Sequence, residues 1–433
     1  MTISWTKRLA PIIVVQFFLW MTLAAFAFGP WEWPMREPVK LYGFVFAAHL
    51  ALLAGYLCAA HRSPSGATGN FDFKRVFAWS LAASLVVLPL TSYAKTGQWA
   101  PDILGAVMNP GAAYGDAHAY MQHTTNPGSY LRILLAPLLV ALVPVGVFFW
   151  SRLRRIERFG LVAVALAVVL LSVSTGQRRD IADLFFIVCL VALGAHWAGV
   201  TRWSRRAATV GALACSVAAL AFVAYFIVSH VSRVGEQTAT YGYNPVTKAA
   251  PDPDNAILNA VPEDARPGFL GLMHYFTTGY YGLSLSLDRD VQPMYGLGHS
   301  MFLTRNWERA SKDEGFERRS LPVQISQKDG FRYPVQWCTA YPYFANDLGF
   351  VGTVLMLFVV GWMFALSWMD VLGGKSLGGI VAFTLIATLL FYLPATNRML
   401  QDGEGVVAFY VWIGVWLVSR ARSFAPKTAV QAI

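Results

Sequence analysis

The chain is poor in charge. Asp, Glu, Lys and Arg make up 13% of its 433 residues, about half the usual share of a soluble domain, while hydrophobic residues make up 56%. That balance excludes an ordinary soluble globular protein. Cysteine is scarce as well. Of the four, Cys58, Cys189 and Cys215 fall in apolar runs and Cys338 stands alone, so neither a disulfide framework nor a thiolate metal site follows. The sequence also lacks G-x-x-x-x-G-K-[ST]. On the side richest in Lys and Arg the longest internal connection is His61–Arg75, which has no room for a nucleotide-binding fold. A pump driven by ATP, or a transferase with a cytosolic sugar-nucleotide domain, is disfavoured. Whatever reaction occurs must use a substrate that arrives already activated.

What the chain has is long apolar runs. Ten approach the length needed to cross a hydrocarbon core of ~30 Å: Leu9–Phe28, Leu41–Ala60, Val76–Tyr93, Ile133–Trp150, Phe159–Ser174, Ile181–Val200, Ala208–Ser229, Leu348–Trp368, Leu377–Leu393 and Gly405–Val418. Helices are expected, because backbone groups in lipid must be satisfied within their own segment, and no alternating pattern suggests a barrel. The reading is an all-α polytopic membrane protein with about ten spans. Its segments are an N-terminal bundle of seven spans (1–229), a large loop (230–346) and a C-terminal bundle of three (347–433).

Placing both termini in the cytoplasm puts 16 of the 34 basic residues on inside segments and seven on short outside ones, as the positive-inside rule requires. The expected arrangement is multi-pass, with both termini cytoplasmic. Lys7-Arg8 and the Ala-Phe-Ala near residue 26 look like a signal peptide, yet the apolar run is long, so an uncleaved first span is expected. The formal net charge of +10 sits largely in inside clusters facing anionic lipid and needs no nucleic-acid partner.

The loop from His230 to Asn346 carries eleven Lys/Arg, twelve Asp/Glu and seventeen aromatic residues, far more than a connector needs. Within it, Gly268–Leu287 is apolar enough to form a re-entrant or interfacial helix. The first outside turn, Gly29–Lys40, holds two Trp and three Pro and reads as an interfacial aromatic anchor. His118 and His123 are spaced poorly for a helical metal site. Asp252/Asp254 and Asp288/Asp290 are D-x-D strings in turn-rich sequence, better read as turn chemistry than as ion ligands. No metal and no cofactor is expected.

Arginine at a disfavoured membrane edge is the stronger signal. Arg178 and Arg179 occupy a tight outside turn, and two readings stand. Asp180 and Asp183 neutralise them, or the guanidinium forks hold phosphate beside a helix N-terminus. Arg305 and Arg309 share a helical face that is either a solvated ion-pair surface or part of an anion cradle. Arg398 lies at another edge, with Asp402 and Glu404 as potential partners. Asp347 stands at the mouth of the eighth span, where a helix N-cap is the plain reading. Histidine ordinarily titrates near neutrality, which makes His299 a candidate for proton transfer.

The paired arginines, the large outside loop, the Thr339–Asp347–Gly349–Gly352 pattern opening the next span and the string HYFTTGYYGLSL resemble bacterial oligosaccharide repeat-unit polymerases of the Wzy type. That resemblance implies a GT-C-like membrane glycosyltransferase, independent of metal, acting on undecaprenyl-pyrophosphate-linked oligosaccharide. The growing glycan would pass from its lipid pyrophosphate to the non-reducing end of a lipid-linked repeat unit. On this reading Arg178, Arg179, Arg305 and Arg398 bind pyrophosphate and His299 is the first choice of base, with Asp347 the second. His274, Tyr280, Trp307, Arg309 and Trp337 face the sugars. A chain-length-regulating co-polymerase and a flippase are the implied protein partners. Two rivals remain: an O-antigen ligase handing the glycan to lipid A core, and a flippase or transporter without chemistry.

Overall fold

The computed structural model describes residues 3–65, 72–123, 127–234, 248–333 and 336–424. Its secondary structure is helical apart from one two-stranded ribbon. The long helices are α1 (Trp5–Phe28), α2 (Pro38–Ala60) and α3 (Phe73–Thr96). Two short helices, α4 (Ile103–Met108) and α5 (Pro110–His123), precede α6 (Pro127–Phe148), α7 (Arg155–Ser174), α8 (Arg179–Trp197) and α9 (Arg205–Val234). The loop region contributes α10 (Ala256–Asn259), α11 (Arg266–Ser286), α12 (Met301–Ser311) and α13 (Leu321–Asp329). The chain then forms α14 (Ala340–Gly373), α15 (Leu377–Tyr392), α16 (Arg398–Gln401) and α17 (Gly403–Phe424).

Among the described residues nine helices are long and apolar enough to cross a membrane, and α15 is a shorter apolar helix of 16 residues. Large apolar side chains such as Phe17, Trp79, Leu134, Leu213 and Val351 stand exposed around the bundle. So broad an apolar surface would be a liability in water, and it marks a polytopic membrane protein. Most of the long helices run past their apolar runs. α7 begins at Arg155 and α17 continues through Arg420, because a charged residue at the edge of an apolar run does not stop backbone hydrogen bonding.

α14 packs along α2 and α17 along α6, so segments 1–229 and 347–433 form one bundle. The α2–α14 contact is backbone against backbone. A Cβ at Gly361 would overlap the Leu52 carbonyl, and one at Gly55 would overlap the Phe358 carbonyl. Small residues permit this close approach, which is how membrane helices gain packing energy without a hydrophobic drive between them. Gly361→Ala should therefore separate the helices at a cost of about 1–3 kcal/mol. The check is the midpoint of thermal unfolding in detergent, which should fall; an unchanged midpoint would show that the contact yields freely.

The loop region is anchored to the first turn. Strands β1 (Trp31–Glu32) and β2 (Ala250–Pro251) pair antiparallel, Trp31 opposite Pro251. Trp31 Nε1 donates to the Leu270 carbonyl at 3.0 Å, and Trp33 stacks on Tyr281 with ring centroids 5.5 Å apart. The tryptophans expected to anchor the first turn in a lipid interface instead dock α11 onto α1. They face protein because Trp33 is buried between Phe26 and Tyr281. α11 itself is the helix expected at Gly268–Leu287, and its half from Thr277 to Ser286 is fully buried in protein.

Candidate functional site

The turn expected at Arg178-Arg179 forms, and local chemistry shapes it. Gly176 takes φ +57°, the Gln177 amide donates to the Ser172 carbonyl, and Ser172 Oγ returns a bond to the Gln177 carbonyl. Leaving this turn, α8 sets Arg179, Asp180 and Asp183 along a cavity of about 480 Å³. α3 supplies Lys95, α6 supplies Arg132, and the segment from α15 to α17 supplies Arg398, Asp402 and Glu404. Four cations and four carboxylates thus line one cavity. Four stretches distant in sequence meet there.

The pairing inside is uneven. Arg132 holds Glu404 with a bidentate fork at 2.7 and 2.8 Å, the strongest geometry available to this pair. Lys95 Nζ lies 3.2 Å from Asp180 and 3.1 Å from Gln177 Oε1. Asp183 accepts from the Tyr392 hydroxyl at 2.6 Å and from Arg398 Nη2 at 3.4 Å. Arg398 also donates to Asp402 at 3.0 Å, and Arg179 reaches the same oxygen at 3.4 Å. Arg398 Nε is buried and makes no hydrogen bond within the described residues. Burial pulls the Arg398 guanidinium down from its ordinary range, but Asp183, Asp402 and Asp180 more than offset that and raise it, so it stays charged.

A second polar constellation adjoins this one. The Asp347 carboxylate receives the backbone amides of Gly296, Gly298 and His299 at 2.8–3.0 Å, and His299 Nδ1 lies 2.9 Å from it. Asp347 was expected to cap the next helix; it instead organises the His299 loop. The reason is the backbone break at Gly349 (φ 68°, ψ 171°), which divides α14 and turns Asp347 aside. With Nδ1 held on a carboxylate, Nε2 becomes the basic nitrogen, and it faces the Tyr410 hydroxyl at 2.6 Å. The two constellations are joined in sequence and space. Asn397 Nδ2, one residue before Arg398, donates to the His299 carbonyl.

Of the four arginines expected to converge, Arg179 and Arg398 do. Arg178 turns to α9, donating to the Phe226 carbonyl at 3.0 Å with its guanidinium 4.3 Å from the Phe226 ring. Arg305 pairs with Glu317 at 3.1 Å and is half exposed. Arg309 is exposed on the same short helix, and Trp307 is half exposed beside Phe316. Tyr280 is fully buried with its hydroxyl on Thr22, and His274 lies against Trp31 and Trp33. Trp337 meets Tyr275 edge to face. These five rings and side chains do not gather at the cavity wall.

Lys95, Arg132 and Tyr410 are the residues that sequence reasoning missed. The two cations stood among the outside charges, but nothing local marks which carboxylates they meet. Asp252 caps its own turn through the Asp254 amide, and Asp288 pairs with Arg36. His118 stacks on Tyr114, and the side chain of His123 lies outside the described residues. Comparison with protein-family models, curated proteins and solved structures yields no match.

Proposed function

We propose that this chain is a membrane glycosyltransferase of the repeat-unit polymerase type, moving a glycan from polyprenyl pyrophosphate to a lipid-linked repeat unit. The observation that carries the proposal is the cavity lined by Lys95, Arg132, Arg179 and Arg398, joined through Asn397 to the His299–Asp347 pair. In the reaction, an acceptor hydroxyl attacks the anomeric carbon while the bond from that carbon to the pyrophosphate oxygen breaks. Negative charge develops on the leaving pyrophosphate, and preorganised cations stabilise it most where water is scarce. Arg179 and Arg398 are the donors for that charge. The hydroxyl proton passes to His299 Nε2, directly or through the Tyr410 hydroxyl, and Asp347 stabilises the imidazolium that results. Such a reaction consumes no nucleotide, in keeping with the short basic connections.

The proposal places the protein in a bacterial inner membrane with ten spans, α15 among them, both termini in the cytoplasm and the segment between α9 and α14 outside. Lys95, Arg132, Arg179 and Arg398 then sit on the disfavoured side, where their carboxylate partners keep them. Native Cys338 does not report on this arrangement, since it is 1% exposed and burial pushes its thiol up to about 12. Exposed Glu314 does. With Cys58, Cys189 and Cys215 changed to alanine, Glu314→Cys should react with an impermeant thiol reagent in intact spheroplasts. Reaction only after the membrane is opened would invert the topology.

A chromosomal deletion tests the function. Polymer should disappear from a gel while a single lipid-linked repeat unit accumulates. Polymer of normal length in the deletion strain, with only its attachment to lipid A core lost, would assign the ligase activity instead.

A further inference from the structure

Resting on the pyrophosphate reading of the cavity, we infer that Asp402 is a placeholder for the substrate. Its carboxylate holds the position of a phosphate oxygen between Arg179 and Arg398, and the two exchange at each turnover. One oxygen, Asp402 Oδ2, accepts from both guanidinium groups, at 3.0 Å from Arg398 and 3.4 Å from Arg179. A single oxygen bridging two arginine forks is what a phosphate supplies.

Asp402 is also the most solvent-exposed of the four carboxylates. Glu404 is gripped by two bonds at 2.7 and 2.8 Å, and Asp183 has the Tyr392 hydroxyl at 2.6 Å. Asp180 takes Lys95, and its side chain is 26% exposed. Asp402 is 53% exposed and is not held by any third donor among the described residues. Its backbone is fixed, the Val406 amide donating to its carbonyl at 3.0 Å, so withdrawal needs only a side-chain rotation into solvent.

Charge balance makes that rotation necessary. Four cations already face four carboxylates, and a bound pyrophosphate would add at least two negative charges to a confined space. Releasing the solvent-facing carboxylate frees Arg179 Nη2 and Arg398 Nη1 together and reduces repulsion at the lowest desolvation cost. The return of Asp402 then helps to expel lipid pyrophosphate after transfer. Arg398 keeps Asp183 throughout and does not become an unpaired buried charge.

The test compares the full-length wild type with Asp402→Asn in lipid nanodiscs, titrated with inorganic pyrophosphate and with farnesyl pyrophosphate. Asparagine removes the competing charge, so Asp402→Asn should bind both roughly tenfold more tightly, and Asp402→Glu should stay close to wild type. A gain with the lipid alone, or with neither ligand, overturns the placeholder while leaving the cavity a pyrophosphate site. Absence of binding by both proteins removes the site and overturns both readings. Should Asp402→Asn be too unstable to isolate, saturating pyrophosphate during purification should restore folded protein by replacing the missing anion. Failure to restore it counts against the inference.

Discussion

Arg398→Lys should lower glycan transfer about a hundred- to thousandfold while leaving the protein folded in the membrane. Arg398 donates to Asp183 and Asp402 with separate nitrogens, and its third donor, Nε, has no partner among the described residues. A lysine keeps the charge but offers a single point of attachment, so it cannot bridge two carboxylates and a phosphate at once. Losing one preorganised donor to a developing oxyanion costs on the order of 2.7–4 kcal/mol. If Arg398 served only to neutralise Asp183, lysine would suffice and the rate would hardly change. Arg179→Lys should follow the same pattern. Arg305→Lys should not, since Arg305 pairs with Glu317 away from the cavity wall. The measurement is polymer formed per folded protein, with each variant checked for thermal stability.

A larger loss of stability is expected at the opposite end of the bundle. Asp370 is fully buried and accepts from Arg420 Nη1 at 2.7 Å, from Trp416 Nε1 at 2.8 Å and from the Ser65 amide at 2.7 Å. This one carboxylate fastens α14, α17 and the end of the α2 connection together. Asp370→Asn removes the carboxylate that meets Arg420 at 2.7 Å, and breaking a buried ion pair in this way costs about 3–5 kcal/mol. The thermal midpoint should fall steeply and little protein should survive extraction. The pair itself need not add net stability. Asp370→Leu combined with Arg420→Met should recover most of the loss, because both charges then vanish together. A single Asp370→Asn variant as stable as wild type would show that the Arg420 charge is satisfied without the carboxylate.

Much of this architecture was legible in the residues. A membrane span is announced by its own composition, so nine of the ten apolar runs correspond to long helices, and the tenth, Leu377–Leu393, to the shorter α15. Charges at the ends of such runs are costly enough to be noticed, which is why Arg179, Arg398 and Asp347 stood out. Their partners were not legible. Lys95 reaches Asp180 across 85 residues and Arg132 reaches Glu404 across 272, and no local pattern encodes either meeting. Tyr410 carries one polar atom inside an apolar helix and gave no signal. Asp370 lies two residues past the end of the apolar run at Trp368, and no local pattern marks Arg420, 50 residues on, as its partner. Arg178 and Arg179 are neighbours with the same side chain, yet consecutive positions at a helix start point about 100° apart. One meets α9 and the other lines the cavity.

Reconstitution tests the central claim most directly. Purified full-length protein in nanodiscs would be supplied with a lipid-linked repeat unit and nothing else, and the products resolved by size. The account predicts a ladder of glycans longer than one unit, with one polyprenyl pyrophosphate released per bond formed and His299→Ala or Arg398→Lys suppressing both together. A lipid-linked unit that stays single, or that merely crosses the bilayer without release of polyprenyl pyrophosphate, would contradict it.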